Sequence, residues 1–295
     1  MKPDIAVIDI GSNSVRLMLA ATEGRRVRSL YKKPCTTRLA KGIDLTHCLA
    51  EDRMAETVRV IGAFSEQAKE LGIPAIAYAT SAVRDADNRD AFVSRVLSET
   101  GLTVRVLSGE EEGAYAFAAV TGGTGTVFDI GGGSFQIVTK ERALSFPCGC
   151  VRAKERCDAS DPETLTDELF RWMDEKTQTP ETVPAPVYGV GGTITTIGAM
   201  LSGQKTFDPG GLRTITFDAL DRLFRTLCTI PEPVRMQIPM LTRRYDVILQ
   251  GAAILEYMML QTHTEIVAPS DRDGMEGIAE ALLFENDGGK PNEES

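Results

Sequence analysis

Histidine is nearly missing from this chain: 295 residues hold only His47 and His263. The cysteines (Cys35, Cys48, Cys148, Cys150, Cys157 and Cys228) form no Cys-x-x-Cys pair. With neither paired thiols nor paired imidazoles, a zinc site has no donors at its usual spacing, and the thiols read as reduced and structural. No stretch approaches the ~18 consecutive apolar residues of a membrane helix. The opening MKPDIAVIDIG puts acids where a signal peptide needs an apolar core. The expectation is a cytoplasmic protein without a membrane partner. Positive charge is also scarce, with Lys plus Arg at 32 against Asp plus Glu at 42, a net charge of −10. That balance argues against nucleic acid as a partner. A polyanionic ligand would need a locally basic cleft and a divalent cation.

Apolar material is sufficient: the chain is 42% hydrophobic and 25% charged, and at roughly 100–200 residues per domain it should form two domains. It also repeats itself. Residues 6–19 read AVIDIGSNSVRLML and residues 126–139 read TVFDIGGGSFQIVT. Aligning Asp9 with Asp129 pairs Val7 with Val127, Ile10 with Ile130, Gly11 with Gly131 and Ser14 with Ser134. Each copy is a buried strand, an Asp at its end, a small-residue turn and a second strand. The glycines of these turns (Gly11 in one copy, Gly131, Gly132 and Gly133 in the other) let backbone N–H groups approach a phosphate. The Asp can hold a cation that bridges phosphate oxygens. Either copy alone could be a plain β-hairpin turn; two matched copies point to two similar lobes facing one cleft. A third turn, Gly191-Gly192-Thr193, follows a strand and opens a helix, which is another anion site or a simple connector.

Periodicity predicts strands over 4–10, 14–21, 27–36, 73–79 and 102–107 and helices over 51–71 and 89–100 in the first half. Met54, Val58, Ile61, Phe64, Ala68 and Leu71 carry the first helix and Gly72 ends it. The second half reads as strands 124–130, 134–140, 142–147, 186–190 and 264–268, with helices 149–158, 162–177, 192–201, 217–228, 246–262 and 274–284. This alternation predicts an α/β fold. Residues 1–122 form a first lobe and 123–285 a second, the last helix packing back on the first lobe, and 286–295 a polar tail. Met54, Trp172, Met173, Tyr257, Met258 and Met259 read as core, although Met258-Met259-Leu260 could support a homodimer. Arg16, Arg38 and Lys41 are candidates for a basic wall or plain surface charges. In Ser108-Gly109-Glu110-Glu111-Glu112, Ser108 and Glu111 form a capping box and Glu110 favours the helix dipole. Glu112 is left as a general base on water or a solvated helix acid.

Taken together, DIGSNSVRL (9–17), YATSAVRDA (78–86), LSGEEEG (107–113), FDIGGGSFQI (128–137) and GVGGTIT (189–195) resemble, in this order, the Ppx/GppA phosphatase family of the actin–hexokinase superfamily. The resemblance spans residues 5 to about 284. It implies two ribonuclease H-like lobes and hydrolysis of terminal phosphoanhydrides in polyphosphate or guanosine penta/tetraphosphate. It implies Glu112 as base, Asp129 as magnesium ligand with Asp9 as a second candidate, Arg84 on phosphate, and the turns Gly11-Ser12-Asn13-Ser14, Gly131-Gly132-Gly133-Ser134 and Gly191-Gly192-Thr193 along the phosphate path. Two departures stand out. GGGSFQ replaces the family's GGGSTE, putting Gln136 at a metal-associated carboxylate. SDRDGMEG replaces SDRGLREG, putting Met275 at an Arg. Longer relatives carry a helical HD-type extension that the two histidines here could not build. The departures keep open a polyphosphate- or nucleotide-binding sensor with weak or no hydrolysis, and the superfamily keeps open an ATP-dependent phosphotransferase.

Overall fold

The structure, a computed structural model, describes residues 1–284; the expected polar tail lies outside the described residues. The first half runs β1 Ile5–Ile10, β2 Ser14–Glu23, β3 Arg26–Thr36, α1 Ile43–Thr46, α2 Glu51–Glu70, β4 Ala75–Ala79, α3 Ser81–Arg84, α4 Arg89–Thr100, β5 Val104–Val106 and α5 Gly109–Thr121. Its sheet has the order β3-β2-β1-β4-β5, antiparallel through β1–β3 and parallel from β1 through β4 to β5.

The second half runs β6 Thr126–Ile130, β7 Phe135–Val138, β8 Ala143–Phe146, α6 Cys150–Arg156, α7 Pro162–Lys176, β9 Val187–Val190, α8 Gly192–Leu201, β10 Ile215–Thr216, α9 Phe217–Cys228, α10 Glu232–Arg235, α11 Ile248–Gln261, β11 Ile266–Pro269 and α12 Gly274–Phe284. Its sheet, β10-β11-β9-β6-β7-β8, repeats the first arrangement: an antiparallel β6-β7-β8 meander, then parallel β9 and β11. The internal repeat of the sequence is thus a repeat of topology. The two sheets form two lobes of matching topology.

Why these segments form strands is visible in β1. Every residue is buried, and successive side chains enter different cores. Ala6, Ile8 and Ile10 join the large core under α2 and α4. Ile5 and Val7 face a smaller core with Met18, Tyr78 and, from α12, Met275, Ile278 and Ala279. The last helix therefore covers the outer face of the first sheet. Fully burying one such side chain is worth about 1.5–3 kcal/mol, so exchanging a single β1 apolar residue for a charge would break this layer. The capping box at Ser108 is present: its Oγ accepts from Glu111 N at 3.1 Å, and Glu111 Oε2 accepts from Ser108 N at 2.9 Å. It fixes the start of α5, which lies between the β6–β8 meander and α12.

Differences from the sequence reading are local. β4 begins at Ala75 rather than 73, since Pro74 lacks an N–H for the ladder. β11 begins at Ile266 because Thr264 N still bonds back to Met259 O and closes α11. The short α1, α3, α10 and β10 were not foreseen, being too brief for periodicity to register. Met258 and Met259 lie in the core and only Leu260 is exposed.

Candidate active site

The two Asp-turn units meet at the carboxyl ends of the parallel strands, where open α/β sheets bind ligands. Asp9 is the penultimate residue of β1 and Asp129 that of β6. The turns close alike, Gly11 N on Ser14 O at 3.1 Å and Gly131 N on Ser134 O at 2.9 Å. Thr80 and Ser81 follow β4, while Gly191 and Gly192 follow β9. All of them line one open cleft of about 620 Å³ together with Glu112 at the start of α5. The lobes approach closely here: a Cβ on Gly133 would collide with Ser12 Oγ and Ser81 Oγ. From the far side, Cys150 N and Val151 N of α6 donate to the carbonyls of Gly131 and Gly132 at 3.0 and 2.8 Å. In a planar trans peptide the N–H points opposite to the C=O. The amides of Gly132 and Gly133 therefore point away from α6.

Acids dominate the cleft. Asp9 Oδ2 accepts from Arg16 Nε at 2.6 Å, and Arg16 Nη1 donates to Asp273 Oδ2 at 2.6 Å. Burial raises the pKa of Asp9 against the pull of Arg16. Asp273 is buried too, yet Arg16, Lys32 and the Met275 amide hold it at about 2. Burial pushes Glu112 up to about 8, reinforced by Asp129 and opposed by Arg84. Burial likewise pushes Asp129 up to about 7, opposed by Arg16. Arg244 is the cation in the cleft without an ion-pair partner among the described residues. Its guanidinium occupies the space a Cβ on Gly192 would need, and burial pulls its pKa down.

The structure brings together Asp9, Gly11, Ser12, Asn13, Ser14, Glu112, Asp129, Gly131, Gly132, Gly133, Ser134, Gly191 and Gly192. Two residues expected on the phosphate path stand elsewhere. Thr193 is fully buried against Gly251, because the first turn of α8 carries it into the core. Arg84 lies behind the cleft, donating from Nη1 to Leu107 O at 3.1 Å and Glu112 Oε2 at 3.2 Å, since nearby acceptors claim it first. Of the basic-wall candidates, Arg16 lines the cleft with its charge divided between two carboxylates. Arg38 instead pairs with Asp246 across the lobes at 2.7 Å, and Lys41 is exposed and lines no part of the cleft. Met275 is buried in the α12 core. Sequence reasoning missed Arg244, Asp273, Thr80 and Ser81 as cleft residues. Asp273 carried a signal, standing where SDRG has glycine; Arg244 in RRYD carried none.

The donors suit a hard cation. Asp9 Oδ1 is buried without a hydrogen-bond partner, and so is Oε1 of Gln136, which faces Asp129 across the β6–β7 ladder. Among the described residues no cluster of three or more His, Cys, Asp or Glu could enclose a metal. Magnesium keeps waters and takes one or two carboxylates plus phosphate oxygens, donors of the kind that Asp9 and Asp129 offer.

Two matched strand-turn units, backbone amides, carboxylates and a free arginine define a two-lobed α/β protein built to handle phosphate. The chain belongs to the Ppx/GppA phosphatase family, whose family profile matches residues 7–283. It is 29% identical to exopolyphosphatase 2 of Mycobacterium tuberculosis, over 94% of this chain and 98% of the relative. It is 27% identical to exopolyphosphatase 1 of Mycobacterium bovis, over 89% and 83%. The crystal structure of the Aquifex aeolicus Ppx/GppA family member superposes with a TM-score of 0.76 at 29% identity, covering 96% of this chain and 98% of that one. An exopolyphosphatase from Cytophaga hutchinsonii, 23% identical, shares the fold with a TM-score of 0.84 over 95% and 97%. Among the described residues no helix is long and apolar enough to cross a membrane.

Proposed function

We propose that this protein is an exopolyphosphatase-type hydrolase that cleaves the terminal phosphoanhydride bond of inorganic polyphosphate, with guanosine pentaphosphate, which ends in the same anhydride, as a second substrate to test. Family membership and the exopolyphosphatase relatives support the reaction class. The observation that carries the mechanism is Glu112, a half-buried carboxyl pushed up to about 8 between the two Asp-turn units. As a carboxylate it accepts the proton of a water whose oxygen attacks the terminal phosphorus. The P–O bond to the bridging oxygen breaks in line. Orthophosphate and a chain shortened by one phosphate leave, the bridging oxygen keeping the bonding electrons.

Arg84 orients Glu112 from behind. Arg244 and the backbone N–H groups of the turns at 11–14, 131–134 and 191–192 take the charge growing on the phosphoryl oxygens. Asp129 and Asp9 would hold magnesium, which supplies charge neutralisation on the phosphate oxygens when bound. Phosphate release with magnesium from long-chain polyphosphate, guanosine pentaphosphate and ATP tests the reading. Release should fall by about 10²–10⁴-fold in Glu112→Gln, the range of a lost general base; near-normal turnover there would sink the assignment. A second reading draws on Gln136, a neutral side chain opposite Asp129. A cleft that binds the same anion as a sensor would show saturable binding with no release from any of the three.

A further inference from the structure

Helix α6 of the second lobe does more than pack. Its first two amides fix the carbonyls of the Gly131–Gly132 turn, and the next turn of the helix reaches into the first lobe. Arg152 and Glu155, three residues apart and so on one face, make those contacts. Glu155 Oε1 accepts from Gly42 N at 2.7 Å. Arg152, buried, donates from Nη1 to Asp44 Oδ1 at 2.9 Å and from Nη2 to Asp85 Oδ2 at 2.6 Å. Its Nε is left buried without a partner. Arg152 is buried but Asp44 and Asp85 are exposed, so solvent screens these pairs and they add little stability. What this pair does is set geometry.

Asp85 stands between two arginines. Its Oδ2 takes Arg152 and, at 3.1 Å, Ser81 Oγ, which lines the cleft. Its Oδ1 lies 3.5 Å from Nε of Arg84, the residue that holds Glu112. We propose that Arg152 is a positioning residue for hydrolysis: by engaging Asp85 from the opposite lobe, it leaves Arg84 on Glu112 and Ser81 at the cleft, and so aligns the base only when the two lobes are together. Without Arg152, Asp85 is free to draw Arg84 away from Glu112.

This rests on Glu112 being the base, and the experiment separates the two. Steady-state phosphate release from polyphosphate with magnesium is measured for the intact chain, Glu112→Gln, Arg152→Ala, Arg152→Lys, Asp85→Asn and the Arg152→Ala/Asp85→Asn double variant. Thermal melting reports folding. Arg152→Ala should lower kcat by about 10²-fold, the cost of displacing a catalytic group by roughly an ångström. KM should stay within about twofold, since Arg244 and the glycine turns still bind phosphate. The double variant should recover most of the loss, because the carboxylate that captures Arg84 is gone. A purely structural Arg152 would give no such recovery of kcat at unchanged melting temperature. Arg152→Lys, which reaches only one of the two carboxylates, should fall between, and it carries the test if Arg152→Ala does not fold. Native kcat in Arg152→Ala, or a double variant as impaired as the single, overturns the proposal. Native turnover in Glu112→Gln overturns the underlying reading instead.

Discussion

The two halves of this molecule build the same device and finish it differently. In each, an Asp at the penultimate position of a central strand faces one residue across an antiparallel ladder. In the first half Asp9 faces Arg16, and in the second Asp129 faces Gln136. Arg16 ties Asp9 into a buried network with Asp273 and Lys32 that also anchors α12 to the first sheet. Gln136 brings no charge, and burial pushes Asp129 up to about 7 with only the more distant Arg16 opposing it. The first unit commits one oxygen of its Asp to the architecture, Oδ2 on Arg16, and keeps Oδ1 open among the described residues. The second has kept a carboxylate whose charge an incoming cation can satisfy. A duplicated fold thus gains chemical asymmetry from one residue on the neighbouring strand, with the backbone unchanged.

The most severe test of that asymmetry compares Asp129→Asn with Asp9→Asn. Phosphate release should drop by about 10–100-fold in Asp129→Asn, with a raised magnesium requirement, the scale seen when a metal's supporting groups are removed. Asp9→Asn should cost less activity but loosen α12, visible as a lower melting temperature. Equal losses in both would erase the distinction. Next, Gln136→Glu makes the second half anionic where the first is neutralised. A magnesium titration should show half-activation at about tenfold lower concentration, while the activity profile moves to higher pH, because a further carboxylate raises Glu112 and Asp129.

The pH profile is the third test. Glu112 and Asp129 act as carboxylates, with values raised to about 8 and about 7, so without saturating metal the activity should climb between about pH 6 and 9. Linkage fixes the companion effect on stability. Both groups stay protonated longer in the folded state than in the unfolded one. Their contribution is complete below the unfolded carboxyl range and is lost as pH rises through 7 to 8. Magnesium should therefore raise the melting temperature at pH 8 and scarcely at pH 5. The smallest effect lies outside the cleft, at Glu256 on α11. Its buried Oε1 has no partner, and burial raises its pKa to about 8. By the same sign it costs stability above the unfolded carboxyl range. Glu256→Gln should raise the melting temperature at pH 8 by about 2–4 °C and leave it unchanged near pH 4. That contrast separates a carboxylate kept for chemistry from one merely buried.

Much of this was legible because it is local. Buried apolar runs placed β1, β2, β6 and β7, and the DIG echo placed the turns. The S-x-x-E capping box accounted for Glu111, which isolated Glu112 as the acid without a structural task. The sequence says least where tertiary neighbours and helix rotation decide where a side chain goes. Arg84 lies in a phosphate-like motif, yet Leu107 O and Glu112 take its donors. Thr193 follows two glycines, yet helical rotation turns it into the core.

The sequence by itself determined two α/β lobes, their matched turns and the acids at the strand ends, because hydrophobic period, glycine and capping act over a few residues. Tertiary structure alone decided which charges are spent and which remain free. Arg16 is consumed by Asp9 and by Asp273, far along the chain, while Arg244 over Gly192 has no ion-pair partner among the described residues. Asp129 titrates near neutrality because packing removes its water. Such outcomes depend on desolvation and on contacts between remote segments, and neither leaves a period or a motif in the chain.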